Sequence, residues 1–130
     1  MNEPRWLERR AILLLHADAL AAHGGVHGLR DAALLDSALS RPVNQYLYDS
    51  EADISQLAAA YGFGLSRNHA FADGNKRIAF IAVALFLRLN GYSLVSEPID
   101  EIRVMISLAA GELSEKDFAS WIRTHTRANG

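Results

Sequence analysis

Residues 69–91 read HAFADGNKRIAFIAVALFLRLNG. A dense polar cluster, 69–77, runs straight into the apolar stretch Ile78–Leu87, and Asn90-Gly91 closes it. The apolar stretch is about half the roughly 20 residues needed to cross a bilayer, so it reads as a buried helix. Starting near Gly74 or Asn75, that helix is apolar on nearly every face and belongs at the centre of the fold. Asn90-Gly91 supplies the left-handed residue that ends it.

Working outward, the same reading yields further helices. Pro4 is suited to open a first one, with Leu7, Ala11, Leu14, Leu15 and Ala19 at helical spacing until Gly24-Gly25. Asp31 caps a second carrying Leu34, Leu35 and Leu39, which Pro42 ends. Arg41 to Glu51 shows no helical period and reads as a loop or short hairpin. Asp53 caps a third through Ile54, Leu57, Ala58, Tyr61 and Leu65. Pro98, with Asp100 and Glu101 in the first turn, opens a fifth bearing Ile99, Ile102, Met105, Ile106 and Ala109. Ser114 and Asp117 start a sixth packed through Phe118, Trp121 and Ile122. The expectation is an all-α, compact bundle of about six helices wrapped around the central apolar one, with residues 1–130 forming a single domain.

Composition narrows the function. Apolar residues are 50% and charged ones 22%, as in an ordinary globular protein. Thirteen Lys and Arg stand against fifteen Asp and Glu, so no long-range field draws in nucleic acid or an anionic membrane. Any polyanion must be gripped locally. The absence of cysteine excludes disulfides, thiolate metal sites and a Cys nucleophile. MNEPRWLERR lacks the pattern of a secretory signal and reads as part of the fold, which makes a cytoplasmic address the default.

The polar cluster is suited to an anion. A helix N-terminus presents unpaired N–H groups and the positive end of the dipole. Gly74 lets backbone approach a ligand, Asn75 adds a side-chain amide, and Lys76 and Arg77 add charge. Both cations oppose the helix dipole, so they are poorly placed for stability alone. His69 is suited to remove a proton from a hydroxyl, and Asp73 either to hold Mg2+ between phosphates or to cap the helix. Phe71 reads as a core anchor for the loop. GFG at residues 62–64 sits within the third helix, lacks a following GKS or GKT, and reads as close helix packing rather than a phosphate loop. His16 falls in the first helix and reads as a hydrogen-bonded packing partner; His23, His27 and His125 lack metal-ligand spacing. Arg67 fits either the same cleft or solvent.

HAFADGNKR resembles the signature of the Fic/Doc family: HxFx, an acid, a small residue, Asn, Lys or Gly, then Arg. HGGVHGLRDAALLDSAL, Arg41-Pro42, LAAAYGFGLSRNHAF and LFLRLNGY extend the likeness to the Doc branch over most of the chain. Fic adenylyltransferases usually carry glycine where Lys76 stands and a second arginine where Phe80 stands; Gly74 looks more like Fic. The resemblance implies a toxin of a type II toxin-antitoxin pair, a kinase passing the ATP γ-phosphate to a threonine of elongation factor Tu and so halting translation. His69 would be the base, Asp73 the Mg2+ ligand, and Gly74, Asn75, Lys76 and Arg77 the phosphate grip. Family members hold the target near the stretch that here runs Arg41 to Glu51. Some Fic proteins carry a self-inhibiting helix motif, absent here because Pro98 follows Ser93–Glu97. The implied restraint is a separate Phd-like antitoxin with a disordered tail that folds on binding. Protein adenylylation and a non-catalytic, partner-binding role are the alternatives.

Overall fold

The computed structural model describes residues 2–130. Six helices and one two-stranded ribbon account for the regular structure: α1 Arg9–His23, α2 Ala32–Tyr48, α3 Ile54–Asn68, α4 Asn75–Leu89, β1 Tyr92–Leu94, α5 Pro98–Ala109, α6 Glu115–Thr124 and β2 Thr126–Ala128. The all-α expectation holds. Among the described residues, no helix is long and apolar enough to cross a membrane.

The centre is shared between α3 and α4, and α3 is the more enclosed. Most of its residues are buried, from Ile54 to Ser66, and α2, α4, α5 and α6 all pack on it. Its composition explains this. A Cβ on Gly62 would stand 2.7 Å from the Phe118 ring and 2.9 Å from Val83, and one on Gly64 would meet the Ala38 backbone at 3.1 Å. Ala58, Ala59 and Ala60, all fully buried, let neighbours approach equally closely. The α4 stripe is narrower, with Ile78, Ala79, Ala82, Val83, Phe86 and Leu87 inward.

Several expectations are corrected. Residues 2–8 are not helical. Trp6 stacks on Phe86 at 5.9 Å, the Leu7 N–H donates to the Tyr61 hydroxyl at 3.0 Å, and Arg5 exchanges two hydrogen bonds with the Asn90 side chain. These long-range partners replace the bonds of a helical turn. The buried stripe of α1 is Ile12, His16 and Leu20, whereas Leu14 is 57% exposed. Pro42 does not end α2; it lies inside the helix and is buried. The bond it removes is a single one to the carbonyl four residues back, while Leu35, Ala38 and Pro42 together seat α2 on α3. Arg41–Tyr48 is therefore helix, not loop or hairpin. On α5, Met105 and Leu108 point inward, while Ile99, Ile102 and Ile106 are each more than half exposed. Finally, β1 pairs antiparallel with β2, Ser93 opposite Arg127, and clips the end of the chain to the segment leaving α4.

Capping proceeds as the sequence predicts. Asp31 accepts from the Leu34 N–H at 3.0 Å and Ser114 from the Asp117 N–H at 3.1 Å. Asp53 and Gln56 form a reciprocal capping box, both bonds at 2.8 Å.

Candidate active site

The loop between α3 and α4 is held from three sides. Asn75 reaches back so that its Oδ1 accepts from the Phe71 N–H at 3.1 Å and its Nδ2 donates to the Phe71 carbonyl at 3.0 Å. The segment before α2 pairs with the other edge: Arg30 and Asp31 donate to the Ala70 carbonyl, and Ala72 donates to Gly28. Phe71, 2% exposed, anchors the loop in the core and stacks on His16 with ring centroids 3.7 Å apart. Its expected structural role is confirmed.

His69 caps α3 in the left-handed conformation, φ 52° and ψ 48°. Among the described residues no other non-glycine has positive φ. Such a conformation costs on the order of 1–3 kcal/mol, and it is sustained from outside. The Arg30 guanidinium donates through Nε at 2.9 Å, and through Nη2, to the His69 carbonyl. This turn ends α3 and lifts the imidazole into an exposed position, where its ring makes no hydrogen bond among the described residues.

Asp73 is exposed and its carboxylate is oriented by backbone. Oδ1 accepts from the Gly74 N–H at 2.8 Å and Oδ2 from the Val26 N–H at 3.2 Å. The Gly74 bond first, then the Val26 bond, hold this carboxyl below the ordinary carboxylate range, with smaller help from the charges of Lys76 and His16. It is ionised at neutral pH, and each oxygen keeps a free lone pair. The Asp73 side chain is thus not the cap of α4, which has no side-chain cap; Gly74 stands there at φ 77° and ψ 19°.

The first turn of α4 is open. Ile78 is the first residue whose N–H bonds back, to Gly74 at 3.0 Å, so the N–H groups of Asn75, Lys76 and Arg77 have no helical acceptor. Lys76 and Arg77 are exposed and pair with no carboxylate among the described residues. One sequence-based role changes here. Both polar atoms of the Asn75 side chain bond to Phe71, so its side-chain amide staples the loop, and the second Nδ2 hydrogen and the backbone N–H are what it keeps for a ligand.

These groups meet around one cavity of about 410 Å³, lined by His69, Asp73 and the Gly74–Arg77 turn, with His16 and Leu20 of α1 as its floor. The predicted residues are brought together. Arg67 lies elsewhere, its guanidinium 5.3 Å from the Phe63 ring centroid and close to Gly111. Arg41–Tyr48 also lies elsewhere, lining a separate cavity with α6. As α2 and α3 run antiparallel, that cavity sits toward the N-terminal end of α3, where Gln56 lines it, about 20 Å along the helix from His69 at 1.5 Å per residue. The expected target-holding stretch is therefore not beside His69. The segment that does flank the loop is 26–31. Sequence reading missed Arg30, Gly25 and Val26 as supports of His69 and Asp73; the run of glycines at 24, 25 and 28 was their only local sign.

The residues fit Mg2+ in one mode. No group of three candidate ligands exists among the described residues, so this is not a protein cage. A single ionised carboxylate beside an anion cradle is how Mg2+ is commonly held, the remaining ligands being phosphates and water.

A left-handed histidine, an oriented carboxylate and an uncapped basic helix start share one cavity on an all-α fold, and the chain belongs to the Fic/DOC family, whose model matches residues 6–87. Within it, the chain is 28% identical to "Protein kinase doc" of Escherichia phage P1 over 92% of its own length and 94% of that protein. It is also 43% identical to "Toxin Doc" of Mycolicibacterium smegmatis over 58% of its length and 59% of that protein.

Proposed function

We propose that this chain is a Doc-type toxin, a protein kinase that transfers the γ-phosphate of ATP to a serine or threonine hydroxyl of a translation factor. The carrying observation is the convergence of His69, the ionised Asp73 and three unpaired N–H groups with Lys76 and Arg77 on one cavity. Similarity to the phage protein kinase over nearly the whole chain supports the same reading.

The residues divide the work. His69, with its ring free of other bonds, takes the proton from the target hydroxyl as that oxygen attacks phosphorus, and ADP departs with the electrons of the broken P–O bond. The first turn of α4, with Lys76 and Arg77, grips the phosphate oxygens. Asp73 would hold Mg2+ against them, and the charge neutralisation this ion supplies when bound lowers the barrier to attack. Gly74 has a conformational reason of its own, its φ of 77°, so it carries no weight for adenylylation. Phe80 brings no charge beside Lys76 and Arg77, which favours transfer of a phosphoryl over a nucleotidyl group.

Elongation factor Tu is the expected target and a Phd-like antitoxin with a disordered tail the expected restraint, as in a type II pair. Purified protein should transfer label from γ-labelled ATP to elongation factor Tu. Label arriving only from α-labelled ATP would make the protein an adenylyltransferase. Undiminished toxicity of His69→Ala would make it a binding protein without catalysis.

A further inference from the structure

We infer that His16, on α1, is a positioning residue of this site: it fixes the Asp73–Gly74 peptide and thereby the carboxylate that receives the metal. The part concerning metal rests on the kinase reading; the part concerning geometry does not.

His16 is 4% exposed, and its Nε2 lies 2.7 Å from the Asp73 carbonyl oxygen. A carbonyl only accepts, so Nε2 carries the hydrogen and donates it. The ring plane is set as well, since the imidazole lies on Phe71 with an interplanar angle of 17°. The consequence passes through one rigid unit. The Asp73 carbonyl and the Gly74 N–H belong to the same planar peptide and point in opposite directions. Holding the oxygen aims the N–H, and that N–H is the one donating to Asp73 Oδ1 at 2.8 Å.

The neighbouring contacts are built around this approach. A Cβ on Gly74 would stand 3.4 Å from His16 Nε2 and 3.3 Å from Leu20. A Cβ on Gly25 would stand 2.8 Å from Leu20 and 2.9 Å from Asp73 Oδ2. His16 and Leu20, one turn apart on α1, thus form the surface against which Gly74 lies, and Leu20 also meets Gly25, which has room only for a hydrogen beside the Asp73 carboxylate. An apolar residue at position 16 would fill the space and leave the carbonyl without its donor. Partners behind a metal-binding group typically change metal affinity 10–100-fold when removed.

The test compares His16→Phe, which keeps a ring on Phe71 and loses the donor, with His16→Gln, which keeps a donor at similar reach. Amide hydrogen exchange of the ligand-free protein is read at Gly74 and Val26, with α3 amides as the folding control. In His16→Phe both amides should exchange at least about tenfold faster while α3 stays protected. The Mg2+ concentration for half-maximal transfer, and the Kd for Mn2+ with ATP by electron paramagnetic resonance, should rise about 10–100-fold. His16→Gln should recover most of both. Wild-type exchange at Gly74 and Val26 in a folded His16→Phe, or a wild-type metal requirement, would overturn the inference. Should the Phe variant not fold, nitrogen NMR of the unaltered protein decides: hydrogen on Nε2 sustains the inference, and hydrogen on Nδ1 alone overturns it. A wild-type protein that binds no Mn2+-ATP and transfers nothing defeats the kinase reading while the exchange and tautomer measurements still stand.

Discussion

The two ends of α3 handle charge in opposite ways. At its N-terminus, beside the larger cavity of about 680 Å³, the helix start is capped and both arginines are paired: Asp53 and Gln56 cap each other, Arg123 pairs with Asp53 at 2.9 Å, and Arg41 pairs with Glu115. This leaves Lys116 as the one cation of that lining without a carboxylate partner among the described residues. Beyond its C-terminus, beside the smaller cavity, α4 starts with no side-chain cap, and Lys76 and Arg77 pair with no carboxylate among the described residues. Groups satisfied by the protein serve stability. Groups left open where the protein has nothing to gain from them are available to a ligand, so cavity size is the poorer guide here.

That contrast is open to direct attack. The largest expected effect is His69→Ala, which should lower phosphoryl transfer about 10²–10⁴-fold with little change in Tm, measured with γ-labelled ATP and calorimetry. Comparable activity in the variant would remove the open end from the chemistry. Next, Arg77→Ala should lower kcat about 10²–10³-fold while raising stability by about 0.3–1 kcal/mol, because a cation leaves the positive end of a helix dipole. Its counterpart Arg123→Ala should do the reverse, leaving transfer intact and costing about 0.2–1 kcal/mol for an exposed pair. Denaturant titration alongside the kinetic assay reads both. A Tm drop in Arg77→Ala equal to that of Arg123→Ala would erase the distinction between the ends.

Smaller effects sharpen the comparison. Asn75→Ala removes two half-buried bonds to Phe71, each worth about 1 kcal/mol, and should lower stability and transfer together. A loss of transfer with unchanged stability would return the Asn75 amide to the phosphate. Asp53→Ala should cost about 1 kcal/mol through the lost cap and leave transfer untouched. Its pH dependence has a defined sign. Burial pushes the Asp53 carboxyl up, but the Arg123 hydrogen bond and the Gln56 N–H together bring it below its ordinary value of 3.8. Stabilisation by a depressed carboxyl is present above the unfolded value and lost as pH falls through the folded one. The Tm gap between wild type and Asp53→Ala should therefore be full at neutral pH and close below about pH 4. A gap constant down to pH 2 would remove the charge from the account.

Much of this was legible locally. The caps at Asp31, Asp53 and Ser114 were readable because capping is satisfied within three residues, and the glycines of GFG because helical period places them on α3. The polar cluster was legible as a site because its groups are contiguous. Phase and partnership were not. The α1 stripe was read through Leu7 and Leu14 because a leucine-rich helix offers several apolar faces, and only the position of Phe71 and Asp73 selects the one bearing His16. Pro42 was read as a stop because its lost bond is local, whereas its burial against α3 is not. The β1–β2 ribbon joins residues more than thirty positions apart, and no pattern in either short strand announces the other.

The sequence by itself determined that there are six helices in this order, the caps at Asp31, Asp53 and Ser114, and the gathering of His69, Asp73 and the Gly74–Arg77 turn, since each depends on bonds made within a few residues; the start of α1 and the second half of α2 depended on distant partners. Only the tertiary structure decided which of those groups are free. The Asn75 amide bonds back to Phe71, Asp73 is oriented by Gly74 and Val26, the His69 carbonyl is held by Arg30, and the Asp73 carbonyl is met by His16. Availability depends on what else lies within hydrogen-bond reach, and that is set by how distant segments pack.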